Sequence, residues 1–468
     1  MKTITLIPFH LRSTSLAILC ATATLLLVSC DSFVEVDLPK SQLTNKTVFE
    51  NYQTADAALA DLYAKIRDAG LLTGNSSGLC NQLGNYTDEL TYFGSATDPT
   101  LYFYNNSLLA TNTAIAQLWN FTYNQIYAAN AILEGSRNSS GLSTAEKKQL
   151  AGEALFIRAL LHFYLVNLFG DLPYVTTTDY KTNSSIGKLS VEDIYRLVET
   201  DLSDAALLLP PTPLNDTRVR VQRTAVFALQ ARVYLYGGRW AEAANSASAV
   251  LNETGLYRLE GIYTVFLKDS KETIWQLQPS PAGKNTDQAI TFIFFTGPPA
   301  SVSLSPALMD SFGTDDLRKT HWTARVSKGT SAWYHAFKYK QNNATASSVE
   351  YSIVLRLAEQ YLIRAEARAH QGDIIGSRED LNEIRHRAGL ADTSALSSEE
   401  LLEAIQGERR WEFFTEYGHR FFDLKRSGNL DKVLSGVKSG WNSTDVLFPL
   451  PQAELSLNPK LLPQNKGY

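Results

Sequence analysis

Residues 408–426, ERRWEFFTEYGHRFFDLKR, interleave ionisable side chains with Trp411, Phe413, Phe414, Tyr417, Phe421 and Phe422, and no other stretch restricts the packing of the chain so much. As one helix, the segment carries Trp411, Phe414, Tyr417 and Phe421 at three- and four-residue steps on a single face, which must seal against other helices. Glu408, Glu412 and Glu416 form a second stripe at i, i+4 spacing that repels itself unless cations arrive from outside. Arg420 supplies part of that charge. Arginines on neighbouring helices, such as Arg356, Arg364 and Arg385, are expected to supply the rest, so that the block ties together helices distant in sequence. The competing reading makes two of these carboxylates the acid and base of a glycosidase. Acids four apart on one helix are more often ion-paired or solvated, and nothing here implies an apolar pocket that would raise one pKa.

The N-terminus carries a second strong signal. Lys2, His10 and Arg12 precede an apolar run over 16–28 that ends in Leu27-Val28-Ser29-Cys30. The run is shorter than the roughly 20 residues a membrane-spanning helix needs, and small residues lead into the cysteine, which is the pattern of a signal peptide. Leu-Val-Ser-Cys resembles a bacterial lipobox, making Cys30 the lipidated first residue of the mature protein. Asp31, Glu35 and Asp37 resemble the surface-export signals of Bacteroidetes lipoproteins. With Cys20 removed and Cys30 committed to lipid, Cys80 is the one ordinary thiol, so neither an intramolecular disulfide nor a CxxC metal site is possible.

At 468 residues the chain can bury a large core, as two or three domain-sized units or one helical array. A net charge of -5 without any Lys/Arg-rich run excludes nucleic acid as an expected partner. In chain order, a polar tether over 39–47 leads to a helix over 48–69, with Ala55, Leu59, Leu62 and Ile66 as its buried stripe. Residues 70–112 break the helical pattern and present Tyr86, Tyr92, Phe93, Tyr102, Phe103 and Tyr104; a polar, aromatic loop of this length is more often functional than filler, although rings usually pack inward. Gly74-Asn75-Ser76-Ser77-Gly78 matches the G-x-S-x-G elbow formally, without the buried strand and following helix that the elbow requires. Helices resume over 112–133, with Ile115, Leu118, Tyr123, Ile126 and Ala129 inward, and over 145–169, where Ser143 and Glu146 form a capping box and Gly170 ends the helix. Another starts at Ser190. Hairpins over 224–236 and 241–251, and over 354–371 and 374–388, follow. Ile157-Arg158-Ala159, Gln230-Ala231-Arg232 and Ile363-Arg364-Ala365-Glu366 sit in mid-helix and look like parts of degenerate tetratricopeptide pairs, which must stack to bury both faces. Between the hairpins, 257–350 loses helical period; 273–278 reads as a strand, and Trp322 and Trp333 lie in polar surroundings.

Catalytic signals are poor. There is no Walker loop and no H-E-x-x-H, and no histidine pair has metal spacing. His162 reads as a satisfied core residue, and Asp315-Asp316 as a capped turn in preference to a calcium site. No motif calls for a cofactor or a metal. Trp322 and Trp333 are the first expected ligand contacts, because each lies in a polar stretch with no helical stripe to bury it, and Tyr92 and Tyr102 come next, flanked by Asp and Asn side chains that could bond hydroxyls.

Six segments carry a family resemblance: the lipobox at Cys30, WNFTYNQIYAANAIL (119–133), RALLHFYLVNLFGDLP (158–173), RLAEQYLIRAEA (356–367), the 408–426 block, and the tail FPLPQAELSLNPKLLPQNKGY (448–468). Together they resemble the SusD/RagB family of Bacteroidetes outer-membrane lipoproteins. The resemblance implies a mostly α fold, SusD-like, with tetratricopeptide-like helical pairs as scaffold, long irregular aromatic-rich loops and a few short strands. It divides the chain into a signal peptide (1–29), an N-terminal helical region (30–252) and a C-terminal RagB/SusD region (253–468). It also implies a non-enzymatic, lipid-anchored protein exposed on the outer membrane that delivers oligosaccharides, or in some members peptides, to a SusC-like TonB-dependent transporter. An all-α surface glycosidase and a repeat scaffold binding only protein are the rival readings.

Overall fold

The computed structural model describes residues 45–212 and 215–468. The signal peptide and the lipobox cysteine, Cys30, lie outside the described residues. The fold is mostly α. Helices α1 (Tyr52–Asp68), α2 (Leu79–Tyr86), α3 (Thr113–Asn138), α4 (Thr144–Phe169), α5 (Val191–Leu208), α6 (Arg223–Tyr236) and α7 (Trp240–Leu251) occupy the first half, and α8 (Leu357–His370), α9 (Ile374–Arg387), α10 (Ser398–Phe413) and α11 (His419–Arg426) the second.

Helix α4 is the axis of the first half, and its sequence explains why. The Glu146 amide donates to Ser143 Oγ while the Ser143 amide donates to Glu146 Oε2 at 2.7 Å, so the capping box is formed, and Gly170 closes the helix at φ +72°. In between, apolar side chains point in every direction, a pattern that fits burial on all sides. The helix is long and apolar enough to cross a bilayer, yet it is enclosed between α3 and α5, with every residue over 152–166 buried. The stripe of α1 is buried as its period requires, and so is that of α3 apart from half-buried Tyr123.

From α3 onward the helices stack: α3 on α4, α4 on α5, α6 on α5 and α7, α7 on α8, and α8 on α9 and α10. The three mid-helix arginine segments share one device. Arg158 of α4 pairs with Asp201 of α5 at 2.7 Å, Arg232 of α6 with Glu359 of α8 at 2.6 Å, and Arg364 of α8 with Asp380 of α9 at 2.7 Å. Beside each, Ala159, Ala231 and Ala365 are wholly buried, so the backbones come close enough for the long side chain to reach across. Deleting one partner of such a buried pair costs about 3–5 kcal/mol, because the other charge is left in the core.

Strands fill the irregular stretches. β2 (Thr273–Leu277) pairs antiparallel with β6 (Ser352–Arg356), and a second sheet contains β1 (Leu90–Tyr92), β3 (Val302–Leu304), β4 (Thr323–Lys328) and β5 (Ser331–Ala336) in the order β1-β3-β5-β4. Three expectations need correction. The helix expected from Val354 starts at Leu357, because 352–356 is a strand buried at every position and so shows no alternation to announce it. The 70–112 stretch is not irregular throughout: the turn over 74–78 feeds α2, whose polar side chains find local partners, Asn81 Nδ2 donating to the Ser76 carbonyl at 2.8 Å and Asn85 Nδ2 to the Asn81 carbonyl at 2.9 Å. The 408–426 block is two helices, α10 and α11, separated by a turn in which Thr415, Tyr417 and Gly418 all have positive φ. Lys338 Nζ donates to the carbonyls of Glu412 and Phe414 at 2.8 Å each, completing the end of α10 from another element.

Candidate functional site

The glutamate stripe is the first place where chemistry could reside, and the structure uses it for packing. Glu408, Glu412 and Glu416 meet Glu272 and Asp316 on the carboxylate side, and Arg318, Lys338, Arg356, Arg385 and Arg387 on the cation side. Arg318 Nη1 lies 2.6 Å from Glu408 and 3.1 Å from Glu412; Arg356 Nε lies 2.9 Å from Glu416, and its Nη1 bonds Glu412. Burial acts against ionisation of Glu412, but Arg387, Arg356 and Arg318 outweigh it and hold the carboxyl well below the usual range. At Glu408 burial wins, and the carboxyl is raised. Burial lowers Lys338 to about 8, with Glu416 opposing. A glycosidase needs two carboxylates facing a cleft, whereas these are occupied by guanidinium groups in the core. Of the expected partners, Arg356 and Arg385 arrive. Arg364 belongs to Asp380, and Arg420 to Asp88 at 2.8 Å.

The two other polar candidates are also structural. His162 is fully buried, with Nδ1 2.9 Å from the Arg158 carbonyl and Nε2 accepting from the Val175 amide at 3.2 Å; burial lowers its pKa to about 3. Asp316 caps the short helix Leu317–His321, accepting from the Arg318 amide at 2.9 Å.

The second place is the seam between the irregular stretches. β1, from the first, pairs with β3, from the second, in the register Leu90–Leu304, Thr91–Ser303 and Tyr92–Val302, and Leu304 pairs with Tyr334 of β5. Above this seam lies a pocket of about 300 Å³ lined by Thr91, Phe93, Met309, Asp310, Trp333 and Tyr334 among others. That volume is at the lower end of small-molecule sites, about 300–1,000 Å³. Gly297 lies against the Trp333 ring so closely that a Cβ there would fall 2.2 Å from Cζ3, fixing the indole against backbone. The Trp333 indole N–H, the Tyr334 hydroxyl and the Asp310 carboxylate have no hydrogen-bond partner among the described residues. Apolar ring faces edged by free donors and acceptors suit a ligand with apolar and hydroxyl-bearing faces.

The four ring residues chosen from sequence separate. Trp333 lines the pocket. Trp322 does not, and its expected exposure is corrected: it is 1% exposed, donates Nε1–H to the Ile262 carbonyl at 2.8 Å, and lies 5.2 Å from Lys338 Nζ and 5.4 Å from the Arg387 guanidinium. The cations over its ring, Lys338 and Arg387, belong to the ionic core and come from distant parts of the chain. Tyr92 is half-buried and points away from the pocket, as strand alternation requires when Thr91 and Phe93 line it. Its hydroxyl donates to the Ser95 carbonyl at 2.7 Å, and burial and Asp98 push it up to about 12. Tyr102 is exposed but stands outside the pocket lining. Phe93 and Tyr334 are the contacts that the sequence choice missed; a period-two reading of 91–93 would have found Phe93.

Similarity to known proteins agrees with this architecture. A family model described as "Starch-binding associating with outer membrane" matches residues 37–235, and the SusD family model matches residues 323–468. SusD-like protein P25 of Formosa agariphila is 23% identical, over 94% of this chain and 97% of that protein. A SusD superfamily structure from Bacteroides vulgatus superposes with a TM-score of 0.77 at 23% identity, covering 90% of this chain and 100% of the other. A laminarin-binding SusD-like protein superposes with a TM-score of 0.75 at 24% identity, covering 89% and 100%.

Proposed function

We propose that this chain, which belongs to the SusD/RagB family, is a surface lipoprotein that binds nutrient oligosaccharides at the seam pocket and passes them uncleaved to a SusC-like TonB-dependent transporter. The description of the family model matching 37–235, starch-binding and associating with the outer membrane, supports an outer-membrane location. The observation that carries the ligand class is the lining itself: Phe93 and Trp333 offer flat faces to the C–H side of a pyranose, while the Trp333 N–H, Tyr334 hydroxyl and Asp310 carboxylate await its hydroxyl rim. Binding without reaction is consistent with a pocket whose one carboxylate, Asp310, has no second acid beside it in the lining.

Glucans are the first probes, given the starch-binding description of the family and the laminarin-binding relative. Calorimetric titration with maltohexaose and laminarihexaose should show Trp333→Ala and Phe93→Ala each weakening binding about tenfold or more, at unchanged melting temperature. Wild-type affinity in both variants removes the pocket from the site. Release of new reducing ends during the titration would instead make the protein an enzyme.

A further inference from the structure

A second groove, of about 480 Å³, opens where the outer face of α3 meets the short helices Tyr180–Asn183 and Gln452–Leu457, and it shares no lining residue with the seam pocket. Asn120, Asn124 and Tyr127 project from α3 into it at i, i+4 and i+7, one stripe of the helix. Tyr180 enters from the facing short helix and Glu454 from the C-terminal one. Trp119 and Tyr123, with ring centroids 4.7 Å apart, also line it.

Some polar groups of the lining are spent, Tyr123 donating to the Pro173 carbonyl at 2.8 Å, Asn183 to the Thr177 carbonyl at 2.7 Å and Asn458 to the Ile186 carbonyl at 2.8 Å, but others are not. Elsewhere on α3 such groups are used: Gln125 donates to the Lys65 carbonyl at 3.0 Å, Asn130 to the Val175 carbonyl at 3.0 Å and Thr122 to the Leu118 carbonyl at 2.6 Å. By contrast, the side chains of Asn120, Asn124, Tyr127 and Tyr180 make no hydrogen bond to any described residue, and Glu454 has no described cation within ion-pairing distance. Burial holds the Glu454 carboxyl above its ordinary range. Tyr127 is 46% and Tyr180 81% exposed, so two ring faces are uncovered beside these groups.

We propose that this groove is a second saccharide site, taking a neutral oligosaccharide independently of the seam pocket. The one charged side chain in the lining, Glu454, repels an anion. A cation would satisfy Glu454 and leave the donor halves of the asparagines idle. Hydroxyl groups donate and accept at once, so a sugar can use the amides and the carboxylate together while its C–H face covers a tyrosine. Two sites on one anchored chain would also hold a long polysaccharide more tightly than either alone.

The test uses the full chain carrying Phe93→Ala and Trp333→Ala, so that seam binding does not mask the groove. It is titrated with maltohexaose, laminarihexaose, cellohexaose and xylohexaose, and with chitosan hexamer as the amine-bearing control. At least one neutral hexaose should still bind, and adding Tyr127→Ala with Tyr180→Ala should weaken it about tenfold or more at an unchanged melting temperature. Glu454→Gln, which keeps an acceptor, should weaken it less than the tyrosine pair does. Binding of no neutral hexaose, binding of chitosan alone, or neutral binding indifferent to the tyrosine pair overturns the proposal. A face built for a protein partner would give the first of these results. Failure of the seam variants in the wild-type background would bear on the seam pocket only and leave the groove standing.

Discussion

Glu89 is a carboxylate without a cation of its own. The cations around it are engaged elsewhere, Arg410 and Arg420 with Asp88 at 2.8 Å each and Lys338 with Glu416, and the Glu89 side chain retains only the Thr415 amide at 3.4 Å, with its other oxygen unpartnered. Burial, with Asp88 adding to it, raises its pKa from 4.5 to about 7. The folded state therefore binds this proton more tightly than the unfolded chain does, and its contribution to stability falls as pH rises from 4.5 through 7. Glu89→Gln should flatten that slope, leaving stability near wild type at about pH 5 and raising it by up to about 3 kcal/mol at about pH 8. Urea unfolding at both pH values reads this out, and parallel wild-type and variant profiles would reject it. Glu412 has the opposite sign, since its depressed carboxyl lends stability above its unfolded pKa that is lost on acidification. At this scale the sequence was half legible. Charge matching around the stripe identified Arg356 and Arg385 and missed Arg387, which ends the same helix α9; Arg318 comes from a short helix whose approach no periodicity announces, and Arg420 is carried off to Asp88 by the turn before α11.

That turn is the clearest case at the scale of elements. A three- and four-residue aromatic period runs unbroken through 411–421, so the block reads as one helix, yet the chain leaves the helix at Phe414 and re-enters at His419. Gly418 has φ +79°, and a Cβ there would lie 2.1 Å from Leu83 Cδ1 of α2. Gly418→Ala should therefore combine backbone strain with a clash in a packed core, costing about 2–4 kcal/mol. Thermal melting would show it, and a variant melting with wild type would mean that the turn relaxes freely. Elements with one buried stripe or a formed capping box, such as α1 and α4, were readable. α2 and β6 were not: the first hides its burial behind asparagines whose amide N–H groups bond nearby carbonyls, and the second is buried on both faces and so has no alternating pattern.

For the molecule as a whole, β1 pairing with β3 joins the two stretches, 70–112 and 257–350, that sequence reading set apart as irregular. Sequence reading could not separate Trp322 from Trp333, because both have polar neighbours in sequence and only the fold brings Lys338 and Arg387 over the ring of Trp322 and buries it. The anchor is a prediction for the intact protein: Cys30→Ala should shift it from the membrane to the soluble fraction, and a variant that still sediments with membranes would need another tether. The β1 and β3 register has a further consequence. Leu90 finds its partner at Leu304, so the proposed binding surface cannot form until chain synthesised far apart has been brought together, a loop closure that local helix formation does not assist. On the proposed reading, a partly made chain is blind to sugar, and captured ligand would count only completed molecules.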